Sequence, residues 1–143
     1  MTENLELWRR NPIDCIWDLI GNPAFHKHVA YGPEHIYADD KGGSRIFDEM
    51  WTGDWWWKTQ VCVILGAVVA PVILASDKTA LTQFGGDKKA WPVYLTIGNI
   101  SKEVRRRPSS HSTVLLDTYL FQTSRVFWRV LIKLLDTVSS IVV

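Results

Sequence analysis

The sequence predicts an α+β fold in which N-terminal helices precede three mainly antiparallel strands and a C-terminal amphipathic helix. The chain has 143 residues, a length that suits one ordinary domain of roughly 100–200 residues. Its composition, 47% hydrophobic and 22% charged, is that of a folded globular protein. The apolar residues recur with a helical period near both ends of the chain and with the alternation of strands in the middle.

The first predicted element is a short amphipathic helix. Asn11 is a good N-cap, Pro12 suits the first helical position, and Gly21 suits the residue after the helix. A helical spacing of i, i+3, i+4 and i+7 gives the expected apolar face. That face carries Ile13, Ile16, Trp17 and Ile20.

Residues 22–44 contain the turn signals of a loop, and Ser44 is expected to cap a second helix that contains Ile46, Phe47, Met50 and Trp51. The loop holds His26, His28 and His35, whose spacing does not match a zinc site. Cys15 and Cys62 fit neither a disulfide framework nor a metal site. We therefore expect reduced thiols and histidines without a metal role.

The middle of the chain predicts the strands. Residues 61–75 form an uninterrupted apolar run, which is shorter than the roughly 20 residues of a membrane helix and contains Gly66 and Pro71. A buried strand over 68–76 is the better interpretation. A second strand is predicted over 91–98, with Pro92 at its start, and a third begins at Thr113.

The final segment returns to a helical period. An apolar face is expected on the C-terminal helix, with basic residues four apart on another face. The apolar positions are Val126, Phe127, Val130, Leu131, Leu134, Leu135 and Val138, and the basic ones are Arg125, Arg129 and Lys133.

Asp77 is the first candidate for chemistry, because it follows the predicted strand over 68–76 at a point where packing does not require an acid. Carboxylates hold Mg²⁺ together with substrate phosphates, and two-metal nucleases use several of them. An aspartate in a turn is the competing interpretation, and the residue chemistry alone favours the turn.

A basic cluster is the second candidate. It consists of Lys102, Arg105, Arg106 and Arg107. Arginine binds phosphate through two parallel hydrogen bonds, although a solvated charged loop is the alternative. The residue before Pro108 is disfavoured in a helix, so a continuous groove-reading helix is excluded. The cluster therefore predicts contacts with DNA phosphates rather than with bases.

Three ordered motifs resemble one known family. They are the segments 70–79 (APVILASDKT), 91–100 (WPVYLTIGNI) and 105–109 (RRRPS). Upstream, the segments 7–10, 20–23 and 51–57 fit the same pattern. Over about residues 3–116 the chain resembles the Plavaka-type transposases of basidiomycete fungi, relatives of the CACTA cut-and-paste elements.

The resemblance implies an RNase H-like nuclear enzyme that cuts and joins DNA with three acidic residues and two Mg²⁺ or Mn²⁺ ions. By position, Asp77 resembles the first of these acids and a metal ligand. The three strands are then part of an incomplete RNase H-like sheet. Lys102 and Arg105–Arg107 become candidates for contacts with the DNA backbone.

The chain departs from the family pattern after Leu116. The family continues with a Gly-Tyr-Leu-Pro-Val-like segment, whereas this chain reads DTYLFQT over 117–123, which degenerate codons allow as an out-of-frame reading of that segment. We therefore expect a helical lead-in over 1–60, a partial core over 61–116 and a divergent tail over 117–143. With one acid in place, neither catalysis nor stable metal binding is expected.

Partners and alternatives follow from the same features. Weak, non-specific DNA binding is expected, as is self-association through an exposed edge strand and Trp55–Trp57; no small-molecule substrate is expected. A small membrane-associated protein anchored by residues 61–75 or by the C-terminal helix is one rival. A domesticated DNA-binding or self-associating module is the other.

Overall fold

The structure, a computed structural model, describes residues 8–80 and 89–120 and confirms the α+β fold. The strands are β1 (Trp8–Arg9), β2 (Ile36–Tyr37), β3 (Arg45–Ile46), β4 (Val72–Ser76), β5 (Thr79–Ala80), β6 (Lys89–Ile97) and β7 (Val114–Leu120). The α-helices are α1 (Pro12–Ile20), α2 (Asp54–Gln60) and α3 (Lys102–Arg105). Shorter 3₁₀ helices span Pro23–His28, Met50–Thr52 and Pro108–Ser110.

The main sheet has five strands where three were predicted. Its order is β1-β7-β6-β4, and β5 pairs with β6 beyond the end of β4. Every pairing is antiparallel, as predicted. The prediction missed β1 and β5, which have two residues each, because alternation cannot be detected in so short a segment. The hairpin of β2 and β3 forms a separate two-stranded sheet.

Helix α1 has the predicted bounds and caps but a different buried face. The Asn11 side chain accepts a hydrogen bond from the Ile13 N–H at 3.0 Å, and Pro12 opens the helix. Trp17 is 55% exposed and Ile13 is 39% exposed, whereas Ile16 is fully buried and Ile20 is partly buried against the core. Two of the four residues of the predicted face are therefore misplaced. The buried residues are Pro12, Cys15, Ile16 and Leu19, which have the same helical spacing one position earlier.

The core lies between α1 and the sheet. Helix α1 packs on β6 and β7. The buried cluster is formed by Cys15, Ile16, Leu19, Phe25, Val93, Leu95, Ile97, Ile100, Val104 and Leu116. Residues predicted as a helical lead-in therefore supply one layer of the core, and β1 supplies one edge of the sheet.

The second predicted helix is absent from residues 44–51. Arg45 and Ile46 form β3 instead, and a 3₁₀ helix follows at Met50–Thr52. The Thr52 hydroxyl explains the change: it accepts from the Asp48 and Glu49 N–H groups, at 3.0 and 3.2 Å. A threonine that holds local backbone groups competes with a helix.

The three consecutive tryptophans of α2 differ in burial. Trp56 of α2 is fully buried, whereas Trp55 is 55% exposed and Trp57 is 37% exposed. One helical turn rotates neighbouring side chains by about 100°, so three successive residues cannot share one core. Trp57 packs on the His35 ring, with centroids 4.4 Å apart.

The apolar run over 61–75 contributes only part of a strand. Strand β4 begins at Val72, four residues later than predicted. Pro71 lacks an N–H for the ladder, although its carbonyl accepts from the Gly98 N–H at 2.7 Å. Val61 and Leu65 lie outside strands and helices and are 77% and 102% exposed. Among the described residues, no helix is long and apolar enough to cross a membrane.

Strand β6 begins at Lys89, three residues before Pro92, so the prediction that Pro92 starts the strand is wrong. A β-bulge then shifts the register between β6 and β7, because Val93 pairs with Asp117 but Tyr94 pairs with Leu115. Strand β7 continues to Leu120 and so spans the expected boundary between residues 116 and 117. The predicted C-terminal helix lies outside the described residues.

Candidate nucleic-acid interface

Asp77 lies where the edge of the sheet is interrupted. The ladder to β6 ends at Ser76 and resumes at Thr79. In this register Asp77 lies opposite Pro92, which has no N–H to donate across the ladder. The Ser76 hydroxyl donates to the Pro92 carbonyl at 2.8 Å. Asp77 is therefore exposed at the end of a strand, where the sequence analysis placed it.

The described residues around Asp77 do not form a metal site. Within residues 8–80 and 89–120, no group of three or more His, Cys, Asp or Glu side chains could hold a metal ion. Two-metal catalysis requires several carboxylates that converge on the ions. The donors that the structure describes therefore do not fit a pair of Mg²⁺ or Mn²⁺ ions.

Asp117 is a second carboxylate on the same sheet, and the sequence analysis did not single it out. It pairs with Val93 of β6 and is 1% exposed. Val93 pairs in turn with Ser76, so Asp117 lies two strands, roughly 10 Å, from β4. Because directly paired residues of neighbouring strands lie on the same face, Asp117 shares a face with Ser76. Asp117 is buried and Asp77 is exposed, so the two carboxylates have different surroundings.

The predicted basic cluster surrounds α3, a single helical turn that ends at Arg105. Arg107 is extended, with φ −89° and ψ 112°, because the proline that follows disfavours the helical conformation. The prediction that no continuous helix crosses this segment is confirmed.

Two of the four basic side chains already have acidic partners. Lys102 forms an ion pair with Asp48. The Arg105 guanidinium lies 3.4 Å from the Glu49 carboxylate and donates to the Ile100 carbonyl at 2.8 Å. The carboxylates neutralise much of the positive charge of these two residues.

Arg106 and Arg107 differ from this pair. Both are exposed, and none of the ion pairs found in the described part of the chain involves them. Their guanidinium groups are free to form two parallel hydrogen bonds with a phosphate. In the structure, Lys102 and Arg105 are therefore neutralised, whereas Arg106 and Arg107 are available to bind a phosphate.

Two pockets adjoin α3, and they share no residue. The larger, about 570 Å³, has a mixed lining of both charge signs: Phe47, Asp48, Glu49, Met50, Thr96, Lys102, Arg105, Arg106 and Thr113. The smaller, about 320 Å³, has no acidic residue in its lining: Ala24, Phe25, His28, Val104, Arg107, Ser109 and Ser110.

Sequence reasoning missed the acids that neutralise α3 and the histidine beside Arg107. Asp48 and Glu49 lie more than 50 residues from their partners in sequence. His28 was treated as a loop histidine. No local pattern could have found these contacts, because each depends on how separate elements pack.

Comparison with protein families gives a match. The Plavaka transposase family matches residues 1–124, which is most of the chain and extends past the start of the predicted divergent tail. No curated protein and no solved structure matches the chain.

Proposed function

The chain belongs to the Plavaka transposase family, and we propose that it is a degenerate transposase fragment that retains weak, sequence-independent binding to the DNA backbone. The observation that carries the proposal is the availability of Arg106 and Arg107 beside the neutralised Lys102 and Arg105. Phosphate contacts give affinity without sequence readout. Two such contacts support weak binding only.

Catalytic inactivity is the second part of the proposal. The main sheet would correspond to the beginning of an RNase H-like core, with Asp77 as the first acid and as a ligand of Mg²⁺ or Mn²⁺. Such ions, when bound, stabilise the attacking and leaving oxygens of a phosphoryl transfer. Within residues 8–80 and 89–120, Asp77 is an exposed carboxylate that belongs to no group of three or more possible ligands, and a single carboxylate is a weak ligand. We therefore expect no stable metal binding, no DNA cleavage and no joining.

Self-association and nuclear localisation complete the proposal. In the described structure β4 and β5 form one edge of the main sheet, and unpaired edges favour association with another chain. Trp55 and Trp57 add exposed apolar surface. Nuclear localisation is part of the proposal because it is expected of a DNA transposase.

The proposal is tested with the full-length chain on a duplex DNA of arbitrary sequence, with retention measured from about 50 to 200 mM salt. Each phosphate contact contributes about −0.9 to the slope of log K against log salt. Arg106→Gln and Arg107→Gln should each flatten the slope by about 1. Lys102→Gln should flatten it less, because Asp48 already neutralises Lys102.

The matched control is Lys58→Gln, which removes one exposed positive charge from α2 and should leave retention unchanged. Equal effects of all four substitutions would show that the binding is diffuse. The same preparations should not cleave DNA with Mg²⁺ or Mn²⁺. Metal-dependent cleavage that disappears in Asp77→Asn would contradict the proposed inactivity.

In the part of the chain that the structure describes, the loop that contains Val61, Ile64 and Leu65 favours the membrane alternative, since these side chains are 77%, 83% and 102% exposed. Co-sedimentation with vesicles, without retention on DNA, would support interfacial anchoring instead.

A further inference from the structure

The smaller pocket beside α3 has a composition that suits an anion. Its polar side chains are His28, Arg107, Ser109 and Ser110, and no carboxylate lines it. Its apolar floor is formed by Phe25 and Val104, which are 3% and 8% exposed. An apolar floor lowers the local dielectric on one side of the pocket, which strengthens a charge-assisted hydrogen bond.

The wall that carries His28 is fixed by backbone contacts. The His28 carbonyl accepts from the Ser101 N–H at 2.8 Å, and the next residue, Val29, forms a β-bridge with Ile100. The Asn99 amide donates to the Ala30 carbonyl at 2.9 Å. The end of the 3₁₀ helix Pro23–His28 is therefore held against the segment that enters α3.

The opposite wall is fixed by Ser110. Its hydroxyl lies 2.8 Å from the Val104 carbonyl and 2.7 Å from the Arg107 carbonyl, so it closes the turn that follows α3. This contact fixes the backbone of Arg107 and leaves its guanidinium uncommitted.

Three of the four polar side chains of the pocket are available, whereas the Ser110 hydroxyl is hydrogen-bonded. None of the hydrogen bonds or ion pairs found within residues 8–80 and 89–120 uses the imidazole of His28, the guanidinium of Arg107 or the hydroxyl of Ser109. Lys27 and Arg106, their neighbours in sequence, are exposed and add positive potential. The larger pocket contrasts with this one, because an anion there would meet Asp48 and Glu49.

We propose that the pocket between His28 and Arg107 binds a single phosphate group. Arg107 supplies the charge and two parallel N–H donors, a geometry that matches two phosphate oxygens. The imidazole N–H and the Ser109 hydroxyl supply further donors. The proposal goes beyond DNA-backbone binding, because a phosphate group can occupy the pocket without a duplex. The group can come from free phosphate or from a phosphorylated DNA end.

The test is a calorimetric titration of the full-length chain with inorganic phosphate, with chloride used to hold the ionic strength constant. We expect saturable binding that is weakened about ten-fold or more by Arg107→Gln, as expected for the loss of a charged hydrogen-bonding group. His28→Gln and Ser109→Ala should weaken binding less. Arg107→Lys should restore part of the affinity, since it keeps the charge but loses the paired donors.

Lys58→Gln is the control for a simple loss of charge and should leave phosphate binding unchanged. The proposal is overturned if phosphate does not saturate the protein, or if Arg107→Gln and Lys58→Gln behave alike. These substitutions are at exposed positions, and unchanged urea midpoints would show that the variants are folded.

A second titration distinguishes the sources of phosphate and separates this proposal from DNA-backbone binding. Tighter binding of a 5′-phosphorylated oligonucleotide than of its unphosphorylated form, abolished in Arg107→Gln, would assign the pocket to a DNA end. Equal binding of both forms, with inorganic phosphate still bound, would assign it to the free anion. Salt-dependent DNA retention without any phosphate binding would contradict the proposal that the pocket binds phosphate. It would leave the DNA-backbone proposal unaffected.

Discussion

At the residue scale, partners decide what each charged or reactive side chain can do. Lys102 and Arg105 look like Arg106 and Arg107 in the sequence, yet the first two have carboxylate partners and the second two are exposed. The cysteines divide in a similar way, because Cys15 is 4% exposed in the core and Cys62 is exposed on the surface. Reactivity should follow this division.

The first residue-scale prediction concerns thiol labelling. Burial raises the pKa of the Cys15 thiol above its ordinary value of 9.0, which disfavours the reactive thiolate. One equivalent of Ellman's reagent should react rapidly in the native protein, and the second should react only on unfolding. Cys62→Ser should abolish the rapid phase. A rapid phase that survives in Cys62→Ser would show that Cys15 is accessible.

The raised pKa of Cys15 also predicts how the stability of the protein changes with pH. The folded state holds the Cys15 proton more tightly than the unfolded state does, so this contribution is present below pH 9.0 and is lost as the pH rises through the folded pKa. The urea midpoint should therefore fall more steeply above pH 9.0 in the wild type than in Cys15→Ala. Parallel pH profiles of the two proteins would contradict this expectation.

At the element scale, the segment from β3 to the 3₁₀ helix Met50–Thr52 holds α3 in place. The Ser101 side chain does not cap α3. The Glu49 carboxylate takes that role: it accepts from the Lys102 N–H at 2.8 Å and pairs with Arg105 at 3.4 Å. Nearby, the Met50 side chain packs over Gly98, where an added Cβ would lie 2.5 Å from the Met50 sulfur and would displace that side chain. Segments far apart in sequence are thus joined by the Glu49 carboxylate.

The element-scale prediction is that Glu49→Ala lowers the free energy of unfolding by about 2 kcal/mol, since it removes hydrogen bonds to a charged group and leaves the part-buried Lys102 N–H without its acceptor. The Glu49 side chain is only 8% exposed. The matched control is Asp48→Ala. The Asp48 side chain is 53% exposed, so the loss of its ion pair should cost less than about 1 kcal/mol. Urea denaturation measures both values, and equal losses would show that Glu49 is not the more important contact.

At the scale of the whole molecule, the described structure has a core between α1 and the main sheet and leaves other apolar surface exposed. One helix covers one region of the sheet, while β4 and β5 lie at its edge. Val61, Ile64 and Leu65 lie in an exposed loop, and Trp55 and Trp57 are partly exposed on α2. Burial of apolar surface contributes roughly 25 cal/mol per Å². Association that covers this surface is therefore favourable.

The whole-molecule prediction is concentration-dependent self-association, measured by sedimentation velocity. Ala75→Lys places a charge on the exposed end of β4 and should reduce association, because edge lysines oppose strand pairing. Ala38→Lys adds the same charge next to the β2–β3 hairpin and is the control. A monomer at all concentrations, or equal effects of the two substitutions, would show that the sheet edge does not mediate association.

The sequence by itself determined the features that depend on local chemistry. It predicted the α+β class, the caps of α1, the exposed position of Asp77 after a strand, and the break in helix before Pro108, and all four are present. Caps, prolines and strand ends act through bonds and torsions within a few residues. The family resemblance is likewise carried by local motifs, and the family match confirms it.

Only the tertiary structure decided which surfaces are buried and which charges are available. Two overlapping apolar stripes on α1 satisfy the same helical period, and only packing on β6 selects the one that contains Cys15 and Leu19. The pairing of α3 with Asp48 and Glu49, and the meeting of His28 with Arg107, join segments more than 50 residues apart. Burial and electrostatic interaction depend on distance in space, which a local pattern in one chain does not encode.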